Sequence, residues 1–297
     1  MNTHSPIVMK KILDRHAHMI LDPQRTLPLK KAIERTVKKG DVVVDIGTGI
    51  GLLAFFACRA GAKRVIAIDC DRESLDVARQ LAKRFGYENR IIFGEELSFL
   101  FKPKEKADVL ICETVGSMAF DENILATILD GKKRFLKRGG KIIPGIVELW
   151  GALIDERGAH GLMNDVGGFD CAPDKAAKVP ATTITIAPST LLTKPFCIGA
   201  VTTSDINDAT LHETHDVTVA RDGRCVGVAV WPRVLWAAGC ETNCSPFREP
   251  THWKQAILEV KPRRVKRGEK LHFEFIAQPH LEDEWMKTET LWKLEGA

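Results

Sequence analysis

Apolar and polar positions follow two different rhythms along this chain. Up to about residue 144, short β-branched runs alternate with segments whose apolar residues recur at helical spacing. Residues 42–46, 64–69, 90–93, 107–112 and a run from 141 read as strands. Residues 74–85 carry Leu75, Val77, Ala78, Leu81 and Phe85 on one helical face, and 122–136 read as a helix stopped by Gly139 and Gly140. Such alternation predicts a doubly wound parallel sheet with ligands at the C-terminal ends of its strands. Ahead of it lie helical signals, first Ile7, Met9, Ile12 and Leu13, then 27–37 with Ala32 and Ile33. Between them, residues 16–26 are polar and interrupted by Pro23, a stretch placed to fold over a ligand as a lid. Beyond Pro144 the runs at 147–154, 182–186, 217–219, 226–230, 255–260 and 271–276 are short, β-rich and separated by turns, which predicts an all-β sandwich or barrel. The expected organisation is a helical lid at 1–40, an α/β domain at 41–144 and a β domain at 145–297.

The strand at 42–46 runs straight into Gly47, Gly49 and Gly51, and an apolar helix follows from Leu52. Glycines suit a turn that takes positive φ and lets a ligand approach the backbone. The next helix N-terminus offers free amides and partial positive charge. A dinucleotide turn would place its third glycine at position 52, which is Leu, and would not have Asp45 close to a pyrophosphate. The second strand ends in Asp69, an acid able to accept both ribose hydroxyls of an adenosine. Asp-x-Gly-x-Gly-x-Gly followed by that acid resembles the S-adenosylmethionine site of Rossmann-like methyltransferases. An NAD site is the weaker match and an ordinary βα turn the plain one.

Composition narrows the class without choosing a substrate. The 297 residues suit about two domains. The charge of +4, from 43 basic and 39 acidic residues, is too balanced to point to nucleic acid. No run approaches the roughly 18 apolar residues of a membrane span, and the first residues lack a secretory h-region. The eight cysteines sit mostly in apolar segments, as reduced core thiols of a cytoplasmic protein do. Cys240 and Cys244 are the one close pair, with no partner set for zinc, so no metal is expected.

Chemistry-bearing residues gather at three places. Glu113 ends the fourth strand, and Glu122 follows after a loop containing Met118. Two carboxylates held together repel unless a cation joins them, and a planar guanidinium able to donate in pairs fits best. Glu122 equally suits a helix N-terminus, where acids are favoured. Late in the β domain, Thr251, His252 and Trp253 stand at the head of a strand, either as a site or as a packed turn.

Taken together, Asp-Ile-Gly-Thr-Gly-Ile-Gly, the two glutamates and Thr-His-Trp-Lys-Gln resemble the protein arginine methyltransferase family over most of the chain. The family's Met-x-x-Asp-x-x-Arg-Thr segment is similar to residues 19–26. The resemblance implies S-adenosyl-L-methionine as cofactor, with Arg25 on its carboxylate, His16 nearby, Asp45, Gly47, Gly49 and Gly51 around it, Asp69 on the ribose and Glu95 or Glu96 on the adenine. It implies that Glu113, Glu122 and His252 are catalytic, with Thr251, Trp253 and Met118 at the substrate. Residues 168–170 and 187–193 resemble the ends of the family's dimerisation arm, so a head-to-tail homodimer is expected, with an arm at about 165–193 that carries Val166, Phe169, Leu191 and Leu192. A mobile loop on a monomer is the plainer reading of that segment. The chain departs from the family in lacking its N-terminal tyrosine motif, Tyr87 being the single tyrosine, and in placing Thr114 after Glu113 where the family has Trp. The expected substrate is arginine in a protein or peptide, or a small guanidine. A methyltransferase for another small molecule or side chain and a non-catalytic platform are the alternatives.

Overall fold

The computed structural model describes residues 6–159, 182–282 and 285–296. Two helices come first, α1 (Pro6–Ile20) and α2 (Pro23–Thr36). The carboxylate of Asp22 caps α2 by accepting from the Gln24 amide, and Pro23 sits at the first helical position, where its missing N–H costs nothing. Most of the polar stretch 16–26 is therefore helix, and Pro23 starts one element instead of breaking another.

Five parallel strands follow: β1 (Val42–Ile46), β2 (Arg64–Asp69), β3 (Ile91–Glu95), β4 (Ala107–Cys112) and β5 (Leu136–Ile143). Their order is β3-β2-β1-β4-β5, so the winding reverses between β1 and β4 and opens a crevice at their C-terminal ends. The crossovers include α3 (Leu52–Ala60), α4 (Arg72–Arg84) and α5 (Ile124–Arg134). All five residues of β1 are buried, Asp45 among them, because helices cover both faces of the sheet. Gly139 and Gly140 do not stop a helix. They lie inside β5, where Gly139 takes φ +75° and the β4–β5 register shifts at a bulge, the conformation that glycine makes cheap.

The second half is built of two antiparallel sheets. β6 (Ile146–Asp155), β7 (Thr182–Ile184), β8 (Phe196–Thr202), β9 (Leu211–Thr218), β10 (Gly223–Ala237), β11 (Cys240–Asn243), β12 (Gln255–Val265), β13 (Lys270–Glu282) and β14 (Trp285–Gly296) come in chain order. One sheet runs β7-β12-β10-β6-β8, with β11 beside β10, and the other runs β14-β13-β9. Phe273 and Phe275 of β13 are fully buried, the intervening Glu274 is not, and Phe273 meets Phe196 of β8 edge-on across the sheets.

Helix α2 joins the halves. The Trp236 indole donates to the Thr242 hydroxyl, which donates to the Gln24 carbonyl of α2, each at 2.8 Å. Arg35, further along α2, donates to the Ala238 carbonyl.

The expected arm lies partly outside the described residues, Val166 and Phe169 included. Its other end corrects the expectation. Leu191 and Leu192 are buried in the chain's own β domain, where Leu192 donates to Leu153 O and accepts from Ala220 N. Those two side chains are core, so they offer nothing to a second copy. Among the described residues no helix is long and apolar enough to cross a membrane, no group of residues could hold a metal ion, and seven cysteines are free.

Candidate active site

The glycine turn sits at the reversal point of the sheet. Gly47, Gly49 and Gly51 all take positive φ. The amides of Gly47 and Thr48 donate to Ile68 O, and that of Gly49 to Asp69 Oδ2 at 2.7 Å, so β2 holds the turn in shape. A Cβ on Gly47 would lie 3.0 Å from Thr114 Cγ2 and one on Gly49 3.4 Å from His16 Nε2. His16 thus roofs the turn from α1, its Nδ1 fixed on the Ile12 carbonyl at 2.9 Å. Arg15 fastens α1 to α4 by reaching Asp71 and Ser74. At the end of β3, Glu95 lies opposite Asp69 in register and pairs with Arg72 and Arg79, while Glu96 follows it, also exposed.

Beneath the turn, Asp45 is wholly buried. Burial pushes its carboxyl up to about 7, with neighbouring Asp69 adding to the rise and the Thr48 hydroxyl and Arg25 opposing it. Asp45 Oδ1 has no hydrogen-bond partner, and neither has Arg25 Nε. Unpaired polar atoms at such depth are costly unless a ligand completes them.

Arg25 is the centre of the charge arrangement. Its guanidinium forms an ion pair with Glu113, and both side chains are less than one-tenth exposed. Burial lowers Arg25 to about 10, against the pull of Asp22, Asp45 and Glu122. Glu113 and Glu122 thus both act on one cation, and that cation belongs to the chain itself. Glu122 is open to solvent, yet it stands among enough protein for desolvation to raise its pKa, helped by the adjacent Asp121 and opposed by Arg25.

The loop between the two glutamates is held from both sides. Asp121 accepts from the Met118 amide and presses against Gly116, where a Cβ would fall 2.1 Å from its oxygen. Met118 is buried. From the β domain, the Trp253 indole donates to Val115 O at 2.6 Å, and Ser117 donates back to Trp253 O at 3.1 Å. Thr251 and Trp253 are both buried, the latter as a strut between the domains. Gln255 anchors the strand behind them through Ile186 N and Cys244 O.

His252 lies between Thr251 and Trp253 and meets a partner that sequence reasoning left without a role. Asp22 Oδ2 is 2.9 Å from both the His252 amide and its ring Nδ1. Burial resists ionisation of Asp22, but its bonds from His252 and Gln24 outweigh this and hold the carboxyl below its usual range. Burial also lowers His252, with the Asp22 bond opposing and Arg25 and His18 adding to the fall. The available signal was the Asp-Pro cap three residues before Arg25. Its partner stands 230 residues away, beyond the reach of spacing arguments.

A Rossmann-like sheet with a glycine turn and adjoining acid, set against a β domain that props a two-carboxylate loop, defines a methyltransferase of the α/β-plus-β kind. Residues 26–160 match the family model described as ribosomal protein L11 methyltransferase (PrmA). Over 266 residues the chain is 30% identical to protein arginine N-methyltransferase 6 of Danio rerio, covering 82% of this chain and 75% of that protein. It is 29% identical over 269 residues to protein arginine N-methyltransferase 1 of Dictyostelium discoideum, covering 86% and 78%. In fold it is similar to the Trypanosoma brucei PRMT1 enzyme–prozyme heterotetrameric complex with AdoHcy, at TM-score 0.77 and 21% identity over 95% of this chain and 98% of that one. Arabidopsis thaliana protein arginine methyltransferase 10 gives 0.74 at 20% identity, over 95% and 97%. The chain belongs to the protein arginine N-methyltransferase family.

Proposed function

We propose that this protein transfers a methyl group from S-adenosylmethionine to a guanidinium nitrogen of arginine in a protein or peptide. The observation that carries the reading is the gathering of Glu113, Glu122 and the Asp22–His252 pair around a single buried guanidinium, that of Arg25. A site that already holds one guanidinium is electrostatically built for another.

The residues also fit the cofactor. Asp45 and Arg25 form a buried acid and base, each with an unpartnered atom, which is the donor set an α-amino acid zwitterion requires. The positive-φ glycines leave room for close backbone approach, and Asp69 and Glu95 end adjacent strands where a ribose and a base can be held. S-adenosylmethionine, when bound, supplies an electrophilic methyl group on a sulfonium. Glu113 and Glu122 then orient the substrate guanidinium and localise its positive charge, so that one nitrogen directs a lone pair at the methyl. Positioning of this kind supplies much of the rate. The guanidinium nitrogen that would accept the methyl group must also give up a proton. His252, its Nδ1 engaged by Asp22, keeps Nε2 to receive that proton.

The test is transfer of labelled methyl to arginine peptides. Glu113→Gln is expected to lower kcat by roughly 100-fold or more, and unchanged activity would sink the clamp. Binding of S-adenosylhomocysteine without peptide methylation would redirect the search to small guanidines, and no binding at all would favour a non-catalytic platform.

We read the assembly as a head-to-tail homodimer in the cytoplasm. Family membership and the free cysteines support this. Light scattering at micromolar concentration checks it: a monomer with full activity would overturn the assembly.

A further inference from the structure

α1 carries two histidines, and the proposed site uses only one of them. His16 reaches the glycine turn. His18 is two residues on, so roughly 200° around the helix, and it points elsewhere. Its exposed ring stands with its centroid 5.8 Å from that of His252, tilted by 59°. The His252 ring in turn lies 4.0 Å from that of Trp253. Three rings therefore run from the open lid through the Asp22–His252 pair to the strut that holds the two-carboxylate loop. The nearby charged side chains of α1 are engaged elsewhere, Arg15 with Asp71 and Asp14 with Lys10.

This placement matters because the loop itself offers no aromatic surface to a substrate. Thr114 and Ser117 are small, and Phe120 is fully buried. A guanidinium held in plane by two carboxylates still presents two open faces, and a flat ring against one of them excludes water and fixes its tilt.

We propose that His18 is a specificity-determining residue that walls the substrate guanidinium from the lid side and selects a planar cation by stacking on it. The inference rests on the methyltransferase reading above. It concerns recognition, so His18 acts on substrate affinity, while His252 and the glutamates act on turnover. In its neutral form the ring attracts the guanidinium face; replaced by a cation, the same position repels it.

The experiment is steady-state kinetics on an arginine peptide with wild type, His18→Ala, His18→Phe and His18→Lys, each first checked for S-adenosylhomocysteine binding by calorimetry. All four should bind the nucleoside with the same affinity, since His16 is untouched. His18→Ala should raise KM about fivefold with kcat within twofold of wild type. His18→Phe should restore KM, and His18→Lys should raise it further than Ala does. A KM unchanged in His18→Ala, or a Phe variant no better than Ala, overturns the wall while leaving the methyltransferase intact. A fall in kcat equal in all three variants would mean that the lid has been disturbed, and would also overturn it. If the wild type methylates no arginine peptide, the functional reading fails first and this inference with it.

Discussion

Asp45 is where stability and function pull apart. Its carboxyl, near 7 in the folded chain, titrates near 4 when unfolded. Because the folded value is the higher one, the contribution of Asp45 to stability is most favourable below about pH 4, falls as pH rises to 7, and stays low above. Asp45→Asn removes that slope. It should stabilise the ligand-free protein by about 2–4 kcal/mol at pH 8 and by little at pH 4, while S-adenosylhomocysteine binding collapses. Melting curves at the two pH values with a nucleoside titration check both halves. At Asp22 the sign is different. Its bond raises the His252 pKa against burial, so Asp22→Asn should lower that pKa further. The acid limb of the kcat profile should then move to lower pH while kcat itself drops, because the ring loses its orientation. A limb that stays in place would assign it to Glu122, whose own pKa is raised.

The element that does most to make the site is the loop between β4 and α5, and its shape depends on the other domain. Trp253→Phe keeps the buried ring but removes the donor to Val115 O. The expected cost is about 0.5–1.5 kcal/mol of stability, with a disproportionate loss of kcat because the glutamates lose a fixed frame; thermal unfolding beside kinetics separates the two. Gly116→Ala should be far worse for activity, since its Cβ would overlap the Asp121 carboxylate. The loop's ends could be recognised in the sequence because glutamates closing a strand and opening a helix leave a local pattern. Its struts could not, since Trp253 and Val115 are joined across 138 positions. Gly139 and Gly140 misled for the opposite reason, as local glycine content reads as a stop whether the chain turns or only bulges.

For the whole molecule, alternation of strand and helix was enough to foresee the parallel sheet, and the shift to short β-rich runs foresaw the β domain. β11 and β14 escaped because their apolar positions are few or mixed with charge, as in the MKTETLWKLE run of β14; β8 escaped although its FCIGAVT run is apolar, because that run shows no strict alternation. Nor could periodicity find α2's role as the hinge piece between halves, which rests on a carbonyl of Gln24 and a hydroxyl of Thr242. Thr242→Val should therefore loosen both halves at once, and hydrogen exchange should show faster exchange in α2 and β11 together.

The Arg25–Glu113 ion pair has a consequence for kinetics. In this structure Glu113, one jaw of the proposed substrate clamp, is already paired with Arg25, and separating a buried pair without a replacement partner costs about 3–5 kcal/mol. A peptide arriving first would have to meet that cost alone. On the proposed site, a carboxylate-bearing cofactor arriving first would give Arg25 a new partner and free Glu113. The enzyme should thus follow a compulsory order of addition, with peptide affinity weak in calorimetry on the bare protein and strengthened tenfold or more once S-adenosylhomocysteine is present. It would also guard itself: a chain short of methyl donor keeps its clamp shut and does not sequester arginine-bearing proteins that it cannot modify.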